Sequence, residues 1–173
     1  MNPEAQQLVD AFVTKLKQSA PESWVRLVYW GSYLADDDGS VNRGTYKHAE
    51  IAIVRDGENL TGEYFRLDPQ AGFDLQDLEG PLAGEPEADW TVLRVEADRD
   101  GAVRADFSHE APQSFEGSMD NAFWDGVHEY LERNRPALVE LAARLEAEGV
   151  LDGPQASTQT NQGRFGKLFG RRG

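Results

Sequence analysis

Trp24-Val25-Arg26-Leu27-Val28-Tyr29-Trp30-Gly31-Ser32-Tyr33-Leu34 is the stretch that decides the fold. Val25, Leu27, Tyr29 and Tyr33 alternate with Trp24, Arg26, Val28 and Trp30, and both sets are rich in aromatic and β-branched residues. A helix would concentrate its apolar groups on a 3.6-residue stripe. Period two with bulk on either side predicts instead a strand with both faces largely covered. The expectation is that helices cover one sheet face and that a loop or a partner covers part of the other.

Working outward, Asn2-Pro3-Glu4 has the order of an N-cap, an N1 proline and a first-turn acid. Leu8, Val9, Phe12, Val13 and Leu16 follow at helical spacing, so an amphipathic helix is expected from Pro3 to Ser19, ended by Pro21. Asp36-Asp37-Asp38-Gly39-Ser40 breaks the first strand, and a second is expected over Thr45 to Arg55, with Ile51 and Ile53 on one face. Asp56-Gly57-Glu58-Asn59 is the next turn, leading to a short strand around Gly62 to Leu67. Turns this short join only antiparallel neighbours.

Asp68 to Asp89 is rich in Gly, Pro and acids and reads as a loop with a helical turn near Leu75 to Leu78. Trp90 to Ala97 and Ala102 to Ser108 flank Asp98-Arg99-Asp100-Gly101, a hairpin signal. Beyond Pro112, Met119, Phe123, Trp124, Val127, Tyr130, Leu131, Leu138, Leu141, Ala142 and Leu145 form a helical stripe. Pro136 predicts a kink, or two helices meeting near Asn134. The expected class is therefore α+β, in one domain over residues 1–151: a five-stranded antiparallel sheet, an N-terminal helix and a long C-terminal helical region, either kinked or divided near Asn134.

Residues 152–173 read as a flexible polar linker and a short basic tail. The linker holds no core residue, so deleting residues 153–173 is expected to leave the melting temperature within a few degrees. A larger fall in a thermal melt would show that Phe165, Leu168 or Phe169 docks on the domain.

Charge and missing chemistry narrow the function. The 173 residues carry 31 Asp and Glu against 17 Lys and Arg, no Cys and three His, for a net charge of −14. Setting aside Arg164, Lys167, Arg171 and Arg172 of the tail leaves 13 basic against 31 acidic groups, or −18. A field of that sign repels nucleic-acid backbones and anionic lipid and speeds encounter with cationic proteins. Solubility alone is the competing explanation. Without cysteine there are no disulfides and no thiolate metal sites. Met1-Asn2-Pro3-Glu4 lacks the basic patch and apolar run of a secretory leader, and a cytoplasmic location is expected.

The acidic turns do not fit an EF-hand: with Gly39 as the invariant glycine the bidentate position falls on Thr45, and with Gly101 it falls on Phe107. His48, His109 and His128 show no zinc spacing. There is no nucleophile elbow and no phosphate-binding glycine pattern. The cluster Trp24, Tyr29, Trp30, Tyr33 and Trp90 reads as core, with a ligand groove as the alternative. No enzyme activity, cofactor or metal is expected.

Two segments resemble the YezG-like family of bacterial antitoxin or immunity proteins. One is Pro21-Glu22-Ser23-Trp24 running into an apolar strand; the other is the Trp-led hairpin from Asp89 to Phe107 with its Asp100-Gly101 turn. Phe107-Ser108-His109, the long C-terminal helix and the basic tail depart from the family's pattern. The resemblance, over roughly residues 1–135, implies a protein that binds and blocks a toxin domain, often a nuclease. Together with the charge it predicts a monomeric, non-enzymatic protein whose acidic groups meet a basic partner. The candidate partner-binding residues are Asp36, Asp37, Asp38, Asp74, Asp77, Glu79, Glu85, Glu87 and Asp89. The leading rival is an acidic secretion chaperone for an effector protein, expected as a tight dimer, so solution mass separates the two. A small-molecule-binding domain or enzyme would need a deep polar pocket with converging side chains.

Overall fold

The computed structural model describes residues 1–36, 38–109 and 121–151. Helix α1 spans Pro3–Ser19, opened by Asn2, whose side chain accepts the Ala5 amide at 3.0 Å. Strands β1 (Trp24–Ala35), β2 (Val41–Asp56) and β3 (Asn59–Tyr64) follow, then β4 (Val92–Asp98) and β5 (Val103–Ser108). All neighbours are antiparallel, in the order β3-β2-β1-β4-β5. The fold is α+β with an open five-stranded sheet, as the periodicities predict.

Covering of the sheet differs from the expectation: helices lie on both faces. Leu27, Tyr29 and Tyr33 of β1 share one core with Val9, Phe12 and Leu16 of α1 and with Leu75, Leu78 and Leu82. On the other face Val28, Ile51 and Ile53 pack against Val127, Tyr130, Leu131 and Leu138, and Val25 packs against Leu141 and Leu145. These last six belong to helix α4, Asn121–Ala147. The reason is β1 itself: it is central, apolar on both sides, and each amphipathic helix buries its stripe against one of them.

Boundaries also move: β2 begins at Val41 rather than Thr45, and β4 at Val92 rather than Trp90. The third strand spans Asn59–Tyr64 rather than Gly62 to Leu67, because the Asp56 and Asn59 pair closes the turn directly around Gly57 (φ 59°) and Glu58. The acidic stretch after β3 is largely helical, with α2 (Pro69–Asp74), a 3-10 turn (Gln76–Leu78) and α3 (Glu79–Leu82). Its sparse apolar groups suffice, since Ala71, Leu75, Leu78 and Leu82 are fully buried against α1 and the sheet. Finally, α4 runs unbroken through Pro136 as one helix, not two. Pro136 is exposed, Asn134 Nδ2 donates to the Tyr130 carbonyl at 2.8 Å, and the stripes on either side of the proline bury against the same sheet face. That burial outweighs a proline penalty of about 3 kcal/mol.

Met119, Asp37 and the tail at 152–173 lie outside the described residues. Leu151, the last described residue, is buried beside Val25 and Leu145 and closes the core there. Among the described residues, no helix is long and apolar enough to cross a membrane.

Candidate functional site

Seven of the nine candidate acids fall on two segments at one end of the sheet, the β1–β2 turn and Glu79 to Asp89, while Asp74 and Asp77 precede the second. The first is the β1–β2 turn, where Asp36 donates its amide to the Ser40 carbonyl at 2.8 Å and accepts Asn42 Nδ2 at 2.7 Å. Asp38 accepts the Ser40 hydroxyl at 2.6 Å and its amide at 2.9 Å, which holds its carboxyl below the usual carboxylate range. Both acids are exposed. Asp37 lies outside the described residues.

The second segment runs from Glu79 to Asp89. Tyr33 donates its amide to the Thr91 carbonyl at 2.9 Å and its hydroxyl to Glu79 at 2.8 Å, joining this segment to the end of β1. Asp89 is 96% exposed at its side chain and sits at φ 58°. Glu85 is half-buried, its amide on the Leu82 carbonyl at 2.9 Å, and Asp77 is exposed in the 3-10 turn. Glu87 accepts from the Met1 amine at 3.3 Å.

Asp74 stands apart. It pairs with Lys15 near the far end of α1, while Asn2 donates to the Pro81 carbonyl at the near end. The segment therefore runs antiparallel to α1. The 13 residues from Asn2 to Lys15 amount to about 20 Å of helix. The Lys15 hydrogen bond holds the Asp74 carboxyl below the usual range.

Three charged groupings were not anticipated from sequence. Arg43 leaves β2 at a bulge and bonds Glu79 at 3.0 Å and the Trp90 carbonyl at 2.8 Å. On the α1 face, His48 Nδ1 lies 2.5 Å from Oε1 of Glu50, a carboxylate 1% exposed. Tyr29 stacks on His48 at 5.9 Å and shares a 2.9 Å hydrogen bond with Tyr46, both hydroxyls pushed up by burial. Gly31 makes room for this pair, since a Cβ there would meet the Tyr46 hydroxyl at 1.7 Å. On the α4 face, Arg26 forks onto Asp98 at 2.5 and 2.9 Å and reaches Glu96 and the Tyr130 hydroxyl, each at 3.3 Å. Burial opposes the Arg26 charge, but the bonds to Asp98 and Tyr130 hold its pKa above the ordinary value. Burial is also the main cause raising Tyr130 to about 12.

Four of the five clustered aromatics are core, with Tyr29, Tyr33 and Trp90 at most 1% exposed and Trp24 buried, while Trp30 is half-buried. The histidines are dispersed, with His109 Nε2 at 2.7 Å from the Ala88 carbonyl and His128 exposed on α4. Among the described residues no group of three His, Asp or Glu could hold a metal ion.

The Glu50 hydrogen bond raises the pKa of His48 against an opposing effect of burial. Its contribution to stability is then complete below the unfolded value near 6.5 and is lost as pH rises through the folded pKa. Urea unfolding of the wild type should show stability falling above about pH 6.5, a fall that His48→Gln removes. The other groups facing His48 are Glu50, Tyr29 and Tyr46, and burial keeps both tyrosines protonated through this range. Parallel pH profiles for wild type and variant would contradict the assignment.

No protein-family model matches the chain, and no curated protein matches it.

Proposed function

We propose that this protein is a cytoplasmic, non-enzymatic immunity protein that binds a basic toxin domain, such as a nuclease, and blocks it by occlusion. The observation that carries this reading is that Asp36 and Asp38 are exposed on the β1–β2 turn and Asp89 is exposed on the segment that Tyr33 ties to the end of β1, so that acidic groups of both segments face solvent at one end of the sheet. A nuclease domain holds phosphates with a basic surface, and such a surface complements this end. The resemblance to YezG-like antitoxins supports the same class, and the net charge of −14 supports steering towards a cationic partner.

Co-expression with a toxin domain encoded in an adjacent reading frame tests the reading. Growth should be restored by the full chain, and a stable complex of one copy of each protein should be recovered. Unrelieved toxicity with a folded, monomeric protein present would contradict it.

A further inference from the structure

We propose that Arg43 is a clasp: it holds the 79–90 segment against the β1–β2 hairpin, and it serves partner capture through shape rather than through its charge. The capture half rests on the immunity reading, whereas the clasp stands on geometry alone. Arg43-Gly44-Thr45 are three extra residues on β2, lying between the Tyr33–Tyr46 pair and the Leu34–Asn42 pair. A bulge breaks the alternation of a strand and re-aims its side chains. Asn42 Oδ1 secures this one by accepting the Gly44 amide at 2.9 Å.

Arg43, released from the sheet, reaches three residues of the facing segment. Its Nη1 donates to Glu79 Oε1 at 3.0 Å and to the Trp90 carbonyl at 2.8 Å, and its Nη2 lies 4.0 Å from Asp89 Oδ1. The guanidinium carbon stands 4.7 Å above the Tyr33 ring, whose hydroxyl donates to the same Glu79 oxygen at 2.8 Å. A planar fork can lie on a ring while bonding a carboxylate and a carbonyl; an ammonium is a point charge and cannot do all three. The segment needs such a tie, because Asp89 holds a left-handed backbone (φ 58°) that a non-glycine residue adopts at some strain.

Charge steering makes the opposite forecast. Arg43→Ala takes the net charge from −14 to −15, which by charge alone leaves capture of a basic partner unchanged or faster. Hydrogen exchange in the full chain, with no partner, tests the clasp at the amides of Glu85, Ala88 and Thr91, which donate to the Leu82, Glu85 and Ser108 carbonyls. Arg43→Ala and Arg43→Lys should each exchange about five-fold faster there, with thermal melts showing both folded.

Equal exchange in all three proteins overturns the clasp. Wild-type exchange in Arg43→Lys alone overturns the requirement for a fork. In a second arm, the toxin domain of the co-expression test should leave Arg43→Ala about five-fold faster despite the added negative charge. Unchanged or tighter binding overturns the shape argument. If the wild type itself fails to bind that toxin, the immunity reading falls while the exchange arm still decides the clasp.

Discussion

Arg26→Ala is expected to lower the unfolding free energy by about 3 kcal/mol, the largest single loss on the α4 face. The guanidinium is 5% exposed, and the carboxylates it serves, Glu96 and Asp98, are 10% and 9% exposed. Removing it leaves both buried beside Tyr130 without their main counter-charge. Arg104 stands 3.7 Å from each with its side chain 57% exposed, and Arg94, 35% exposed, stands 3.4 Å from Glu96, so together they offset part of the loss, mainly at Glu96. The variant should show a lower urea midpoint at an unchanged slope. The triple change Arg26→Met, Glu96→Met and Asp98→Leu should recover much of the difference, since a buried ionic cluster replaced by apolar groups of like size is close to neutral. A single variant as stable as wild type would show that water reaches the cluster.

Replacing Asp36, Asp37 and Asp38 together by Asn is expected to slow association with the toxin domain about ten-fold at low salt. Glu85→Gln, Glu87→Gln and Asp89→Asn combined should act in the same direction. Asp74→Asn should not, because that acid already pairs with Lys15 and sits away from the meeting point of the two segments. Stopped-flow mixing distinguishes these variants. Equal slowing by Asp74→Asn would mean that total charge, not its placement, governs the encounter.

Much of the fold is legible in the sequence, because period and punctuation are local signals. α1 spans Pro3–Ser19 as its capping residues and stripe predict, and the turns at Gly57 and Gly101 deliver the meander and the hairpin. What is not legible depends on packing between distant segments. The helical turn near Leu75 to Leu78 is legible and present, but nothing else in Asp68 to Asp89 announces that Ala71, Leu75, Leu78 and Leu82 will fold the whole stretch along α1. Pro136 carries a true helix-breaking signal that the sheet overrides.

The candidate site is legible as a composition and not as an arrangement. The acids stand out singly, but their meeting at one end follows from β1 pairing with both β2 and β4. Arg43 could have been flagged only weakly, as a cation before glycine at the start of a strand. Glu50 and Glu96 left a clearer trace, since each is a carboxylate inside an expected strand with apolar or small neighbours, whereas Asp98 read as the first residue of the hairpin turn.

The central claim is acidic capture of a basic toxin, and the association rate of the wild-type chain with that toxin domain across a salt series tests it most directly. Screening shortens the reach of the acidic field to about 8 Å at physiological ionic strength, so the rate should fall steeply as salt rises from low values while the dissociation rate changes little. An association rate that ignores salt, in a protein that still restores growth, would contradict acidic capture and leave immunity to rest on another surface.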